Sequence, residues 1–287
     1  MEEVADRFAQ AGLVFGHGTA DSWDEAVALV LGVTGVDDDR VHESELLTSA
    51  QRASIEALAG RRIRNREPLP YLLGKIHYAG YDFFCEKGVV IPRSPIAQLI
   101  AERFRPWLRS EPETIFDVCC GTGCLGILCA HAFPQANVVL LDIDPRALEL
   151  ARRNVAAHHL DGRVEVVAAD LLSAVNHETI DLLVSNPPYV DVVDFDSLPA
   201  EYRHEPARGL AGGEDGLDIV ARLMDQAAAC IATDGLFVCE VGASAAALQR
   251  RYPRGPFVWP DLPAGGEGVF VLEGRDLRDA AAFGQRA

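Results

Sequence analysis

The run Asn186-Pro187-Pro188-Tyr189 can hold a ligand through acceptors alone. Each proline fixes its own φ and pushes the residue before it into extended geometry, so the run is stiff. Neither proline has an N–H to donate. What remains on offer is the Asn186 side-chain oxygen and main-chain carbonyls such as that of Pro187. Two fixed acceptors suit a planar NH2 group carrying two hydrogens. About seventy residues earlier, Phe116-Asp117-Val118-Cys119-Cys120-Gly121-Thr122-Gly123 reads as a buried strand entering a glycine-rich turn. Glycines there let the backbone approach a ligand at the start of the following helix, a natural seat for a nucleoside cofactor.

Alternating strands and helices must position these stretches. From Thr114 onward the pattern predicts strands near 114–119, 137–142, 163–168, 180–185 and 235–240, with helices near 123–133, 145–158, 215–231 and 244–251. That is a parallel sheet covered on both faces. Two runs without a helix between them, 256–260 and 267–273, predict a closing antiparallel hairpin. The second strand ends Leu140-Leu141-Asp142, where a carboxylate can accept both hydroxyls of a ribose, and Ile143 joins it in the expected cofactor set. Asp144-Pro145 reads as N-cap and first residue of the next helix. The third strand ends Asp170-Leu171, placing a carboxylate for an adenine amino group and an N–H for a ring nitrogen; a plain strand-end cap towards Ser173 is the alternative. Gly121-Thr122-Gly123-Cys124-Leu125-Gly126 also satisfies GxGxxG, so a dinucleotide site is weighed, although that motif alone is weak.

Residues 1–70 read as helical. Ser22-Trp23-Asp24-Glu25 has capping-box spacing, with Trp23, Val27, Leu29 and Val30 as an apolar face. A second helix is expected from Glu43 to about Arg66, ended by Pro68 and Pro70, with Leu46, Leu47, Ile55, Leu58 and Ile63 inward. This part fits either a structural cap or a substrate-docking arm. Between 71 and 94, Ile76, Tyr78, Tyr81, Phe83 and Cys85 around Gly80 predict a hairpin, and Gly88 opens a short strand at Val89-Val90-Ile91. Ser94 and Pro95 then start a helix as N-cap and first residue.

Composition narrows the function classes. The chain has 287 residues, 49 % hydrophobic and 24 % charged, enough for a large α/β domain and a smaller one. The acidic start Met1-Glu2-Glu3-Val4-Ala5-Asp6 lacks a signal-peptide pattern, and no run approaches the roughly 18 apolar residues of a membrane span. The seven cysteines form no CxxC pair, so reduced core thiols of a cytoplasmic protein are the expectation, ahead of zinc. A formal net charge of −17 argues against a sequence-independent grip on nucleic acid, which relies on Lys and Arg at phosphates. It suits a basic protein partner.

Asp-x-x-x-Gly-Thr-Gly from Asp117, the acid Asp142, Asp170-Leu171, Asn186-Pro187-Pro188-Tyr189 and the closing hairpin together resemble class I S-adenosylmethionine-dependent methyltransferases. Pro70-Tyr71-Leu72, Ile91-Pro92-Arg93, Glu205-Pro206 and Gly213-Glu214-Asp215-Gly216-Leu217 are similar to the protein-(glutamine-N5) methyltransferases. Release-factor enzymes of that group usually continue Ile-Pro-Arg with Pro-Glu-Thr. Here Ser94-Pro95-Ile96-Ala97-Gln98-Leu99, Leu198-Pro199-Ala200-Glu201-Tyr202-Arg203-His204-Glu205-Pro206 and Gly265-Gly266-Glu267-Gly268-Val269-Phe270 resemble the branch acting on the third protein of the large ribosomal subunit. Cys119-Cys120 departs from the family's small residues and is expected to narrow the methionine end of the pocket.

The resemblance implies an α/β fold with a Rossmann-like seven-stranded sheet, a helical domain at 1–70, a hairpin linker at 71–94 and a methyltransferase domain at 95–287. It implies S-adenosyl-L-methionine bound by Asp117, Cys119, Cys120, Gly121, Thr122, Gly123, Asp142, Ile143, Asp170, Leu171 and Asn186. A substrate glutamine would then meet Asn186, Pro187, Pro188 and Tyr189, with Asn186, Pro187 and Tyr189 catalytic and no metal. The expected partner is a basic large-subunit ribosomal protein, with release factors as the alternative substrate. An amino-directed DNA adenine methyltransferase, a nicotinamide dehydrogenase and a non-catalytic assembly factor are more distant readings. His204 and Glu205 are expected to cover substrate rather than to act as a base.

Overall fold

The computed structural model describes residues 1–36, 47–175, 180–279 and 283. They form two compact units. The first comprises Met1–Lys87, Ile91–Arg93 and Leu198–Glu205; the second comprises Gly88–Val90, Ser94–Ser197 and Pro206–Ala287.

In the first unit, helices α1 (Glu2–Gln10), α2 (Ser22–Thr34), α3 (Ser49–Asn65) and the short α4 (Leu69–Leu73) enclose Val4, Phe8, Ala26, Leu29, Ile55, Ala59 and Leu69. The cap of α2 is Asp21, whose carboxylate accepts from the N–H groups of Trp23 and Asp24, so the box expected from Ser22 does not form. Glu25 is turned inward instead, towards Arg62 of α3. Trp23 is 47 % exposed and lies off the buried face, which Ala26 and Leu29 supply. A capping box between Thr48 and Gln51 opens α3, later than the expected start at Glu43; residues 43–46 of that expectation lie outside the described residues. Arg66 ends α3 in the left-handed region, and Pro70 falls in the first turn of α4 rather than stopping α3.

The expected hairpin is present as β1 (Lys75–Tyr78) and β2 (Tyr81–Phe84), paired antiparallel with Ile76 opposite Phe83. Ala79 and Gly80 turn the corner, both at positive φ as a tight two-residue hairpin turn demands. No strand forms at Val89-Val90-Ile91: Gly88 turns the chain at φ 96°, and the Ile91 N–H is taken by the Glu205 carboxylate.

The second unit opens with α5 (Ile96–Ala101). Its helical residues begin one place later than expected, although the Ser94 hydroxyl still accepts from the Ile96 N–H. The alternation then follows as β3 (Thr114–Val118), α6 (Cys124–Ala132), β4 (Asn137–Asp142), α7 (Pro145–Ala157), β5 (Val164–Ala168), β6 (Ile180–Ser185), α8 (Val192–Ser197), α9 (Asp218–Cys230), β7 (Ile231–Glu240), α10 (Ala245–Arg251), β8 (Val269–Glu273) and α11 (Gly274–Arg278). The sheet runs β5-β4-β3-β6-β7-β8, parallel except for β8. One face, with Phe116, Val118, Leu141, Leu183 and Phe237, packs on Val220, Leu223 and Met224 of α9. This sheet has six strands among the described residues. Where a seventh was expected at 256–260, only Val258 makes a bridge, to Val271. Pro256 and Pro260 bracket this run and have no N–H to give a ladder.

Candidate active site

Parallel order reverses between β3 and β6, the place where open α/β sheets bind ligands beyond their carboxyl ends. Val118 is the register partner of Ser185, and the Ser185 hydroxyl donates to the Val118 carbonyl at 2.6 Å. The glycine-rich turn and the Asn186 loop therefore leave neighbouring strands side by side. Leu141 pairs with Val118 on the other side, and Ala168 with Asp142, so Asp142 and Asp170 follow on the same edge.

Within the turn, Gly123 sits at φ 78° and starts α6. A Cβ there would stand 2.8 Å from Leu140 Cδ1, so the position needs glycine for packing as well as for conformation. The Gly121 N–H donates to Asp142 Oδ2 at 2.9 Å, and the Asp144 N–H to Asp142 Oδ1 at 2.9 Å. Asp142 thus braces the turn while each oxygen keeps lone-pair capacity for further donors. Burial pushes its pKa up, against the pull of these backbone N–H groups. Asp144 caps α7 with Pro145 at its first position, as the sequence predicts.

Asp117 is 1 % exposed. Its Oδ2 accepts from the Gly126 N–H at 2.8 Å, while Oδ1 has no partner among the described residues. Burial raises its pKa to about 7, partly opposed by the Gly126 bond and assisted by Asp142. Because the folded value lies above the ordinary 3.8, the carboxyl favours folding most below pH 3.8, and that contribution is lost as pH rises through about 7. Asp117→Asn is therefore expected to flatten the fall in melting temperature between about pH 4 and 7. Parallel melting profiles for the two proteins would contradict the assignment.

Thr122 and Cys120 are buried, and the Cys120 N–H is bonded to the Leu141 carbonyl. Cys119 holds φ 59°, a region that favours glycine, and burial holds its thiol protonated. All seven cysteines are free thiols, six of them buried. Ile143 is 53 % exposed beside Asp142, an apolar surface open to a flat ring. Leu171 is buried at φ 54°. The Asp170 carboxylate pairs with Arg222 at 2.7 Å at the surface, and it is its carbonyl that accepts from the Ser173 N–H.

Asn186 is half-buried, and its side-chain amide has no hydrogen-bond partner among the described residues. Tyr189 is held firmly: its hydroxyl donates to Glu240 Oε1 at 2.6 Å, and its carbonyl accepts from Ser244 Oγ at 2.9 Å. Glu240 is a residue that sequence reasoning missed. The available signal was a carboxylate ending the apolar run of β7. His204 Nε2 donates to the Asn65 carbonyl oxygen at 2.8 Å, which fixes the proton on that nitrogen because the oxygen can only accept. Glu205 is gripped by both Arg93 nitrogens at 2.6 and 2.8 Å. These partners lie within the first unit.

A twisted sheet of this order, with a glycine-rich turn and a proline-locked acceptor loop at its reversal, defines a class I methyltransferase. Residues 97–200 match the family described as Methyltransferase small domain. Among solved structures, the catalytic domain of hMettl16 in complex with MAT2A 3'UTR hairpin 6 superposes with a TM-score of 0.52 at 13 % identity, over 78 % of this chain and 81 % of that one. This likeness is one of fold. The ribosomal protein uL3 glutamine methyltransferase of Francisella tularensis subsp. tularensis is 41 % identical over 90 % of this chain and 83 % of its own length. That of Bordetella pertussis is 38 % identical over 96 % and 93 %. The chain belongs to this family of protein-glutamine methyltransferases, and it is an enzyme.

Proposed function

We propose that the protein methylates the side-chain amide nitrogen of a glutamine in ribosomal protein uL3, using S-adenosyl-L-methionine. The observation that carries the reading is the Val118–Ser185 register, by which the glycine-rich turn and the Asn186 loop leave neighbouring strands at the same edge. The residues present fit the cofactor. Asp117 Oδ1 is a buried orphan beneath the turn, Asp142 has spare lone pairs for a ribose, and Ile143 offers an apolar face. Asp170 would hold the adenine amino group by giving up Arg222, an exposed pair that contributes little. Cys119, Cys120, Gly121, Thr122 and Gly123 line the methionine end, and Leu171 offers its N–H to the ring.

When bound, S-adenosylmethionine would supply an electrophilic methyl carbon, with the sulfonium sulfur as leaving group keeping the electron pair of the carbon–sulfur bond. An amide nitrogen is a poor nucleophile because its lone pair is delocalised into the carbonyl, as the roughly 18–20 kcal/mol rotation barrier of a peptide bond attests. Asn186 Oδ1 and the Pro187 carbonyl accept the two amide hydrogens and favour the pyramidal nitrogen that carries a free pair. Pro188 keeps both acceptors fixed, and the Tyr189 ring packs beside the amide, where cation–π attraction of about 0.5–2 kcal/mol to a sulfonium is available. The spent proton leaves to water after transfer, so no dedicated base is required. The carboxylate-rich edge suits a cationic cofactor, and the charge of −17 suits a basic substrate protein met in the cytoplasm.

The test supplies labelled S-adenosylmethionine to the protein with uL3, release factors and DNA in parallel. Label on a uL3 glutamine, located by mass spectrometry, is the expected result. Label on a release factor alone would transfer the reading to that substrate, and label on DNA would overturn it.

A further inference from the structure

We infer that Glu240 is a positioning residue for methyl transfer, setting the tilt and the electron density of the Tyr189 ring. The inference rests on the reading of the Asn186 loop given above. Glu240 ends β7, and its neighbour Cys239 is the register partner of Ser185. Val118, Ser185 and Cys239 therefore form one row, and Cys119, Asn186 and Glu240 are the next residues along three adjacent strands.

Glu240 is 5 % exposed, and a buried carboxylate is costly unless hydrogen bonds satisfy it. Here two hydroxyls do so: Tyr189 Oη reaches Oε1 at 2.6 Å, and Ser94 Oγ reaches Oε2 at 2.6 Å. Ser94 is itself fixed, since its Oγ accepts from the Ile96 N–H at the start of α5. Both bonds are of the short, charge-assisted kind. The Tyr189 backbone is equally constrained. Its carbonyl takes the Ser244 hydroxyl, and the next residue exchanges backbone hydrogen bonds with Leu210 and Gly212. Gly242 lies so close that a Cβ there would stand 2.5 Å from Tyr189 Cε2.

The ring is thus walled in by Gly242, and its outer end is tied to Glu240. Two consequences follow. The Tyr189 hydroxyl is committed to a carboxylate, so the ring, not the hydroxyl, is what a substrate meets. A phenol donating to a carboxylate also gains electron density in its ring, which strengthens attraction to a cation over its face. Glu240 acts on the reaction only through that ring.

The experiment compares kcat and KM for methyl transfer in the parent, Glu240→Ala, Glu240→Gln, Tyr189→Phe and the two double variants. Glu240→Ala should lower kcat about 10-fold or more, the scale of one hydrogen bond to a charged group, with KM for S-adenosylmethionine within about 3-fold. Glu240→Gln, which still accepts the tyrosine hydroxyl, should recover part of the loss. On the Tyr189→Phe background neither substitution should lower kcat by more than about 2-fold, because coupled residues are non-additive. Undiminished losses on that background, or an effect confined to KM for S-adenosylmethionine, would overturn the inference. Should Glu240→Ala fold poorly, Glu240→Gln with and without Tyr189→Phe gives the same discrimination. Asn186→Ala run alongside separates the failures. Full activity there sinks the loop assignment itself, whereas an inactive Asn186→Ala with additive Glu240 effects sinks only the role of Glu240.

Discussion

Asn186→Ala is expected to bind S-adenosylmethionine within a few-fold of the parent and to turn over at least about 100-fold more slowly, the usual scale for losing one aligned polar group in a reacting site. The asymmetry follows from the position of the residue. The braces that shape the turn, Asp142 to the Gly121 and Asp144 N–H groups and Asp117 to that of Gly126, do not involve Asn186. Its side-chain amide, by contrast, bonds to nothing among the described residues and is free for a ligand. The loop should keep its shape without it, because Pro187 and Pro188 limit the backbone and Tyr189 is anchored at both its hydroxyl and its carbonyl. Calorimetry for cofactor affinity and a methyl-transfer assay separate the two effects. Near-normal turnover would remove Asn186 from the mechanism.

Arg62→Ala is expected to cost about 3–5 kcal/mol of the first unit's stability, because it leaves buried carboxylates without their counter-charge. Arg62 occupies a place on α3 that the helical period assigns to the core, in line with Ile55 and Ala59. It is 1 % exposed. Its Nε meets Glu25 Oε1 at 2.5 Å, Nη1 lies 3.4 Å from Glu201 Oε1, and Nη2 donates to the Val14 carbonyl at 3.0 Å. Burial works to raise the Glu201 pKa, yet the Val14 N–H and Arg62 together hold it below the ordinary value. Removing the arginine strands Glu25 and leaves Glu201 with the half-exposed Arg66. Urea unfolding followed by a probe in the helical unit gives the loss directly. Replacing the charges together, as Arg62→Met with Glu25→Met and Glu201→Gln, should recover much of it, since a buried ion pair is often no better than apolar packing. An Arg62→Ala protein within about 1 kcal/mol of the parent would contradict this account.

Much of the second unit was legible because its strands are apolar runs that stop at Gly, Asp or Pro. β4 and β6 fall where the sequence places them, whereas the order that sets β6 beside β3 is fixed only by the fold. The candidate site residues were chosen for the same reason: Asp142, Asp170 and Asn186 each stand one or two residues past such a run. What escaped depends on partners distant in the chain. Arg62 reads as surface until α2 presents Glu25, and Glu240 reads as a strand end until Tyr189 arrives 51 positions earlier in sequence. Asp21 displaced Ser22 as a cap by accepting two N–H groups, and this left Trp23 outside. The run at 256–260 is apolar enough for a strand, but two prolines reduce it to one bridge.

The central claim is tested most directly by a structure of the protein with a non-reactive S-adenosylmethionine analogue and a glutamine-bearing uL3 peptide. The account predicts the amide nitrogen within about 3 Å of both Asn186 Oδ1 and the Pro187 carbonyl oxygen, with its lone pair facing the cofactor sulfur. A glutamine bound elsewhere, or one whose amide turns its oxygen towards Asn186, would contradict it.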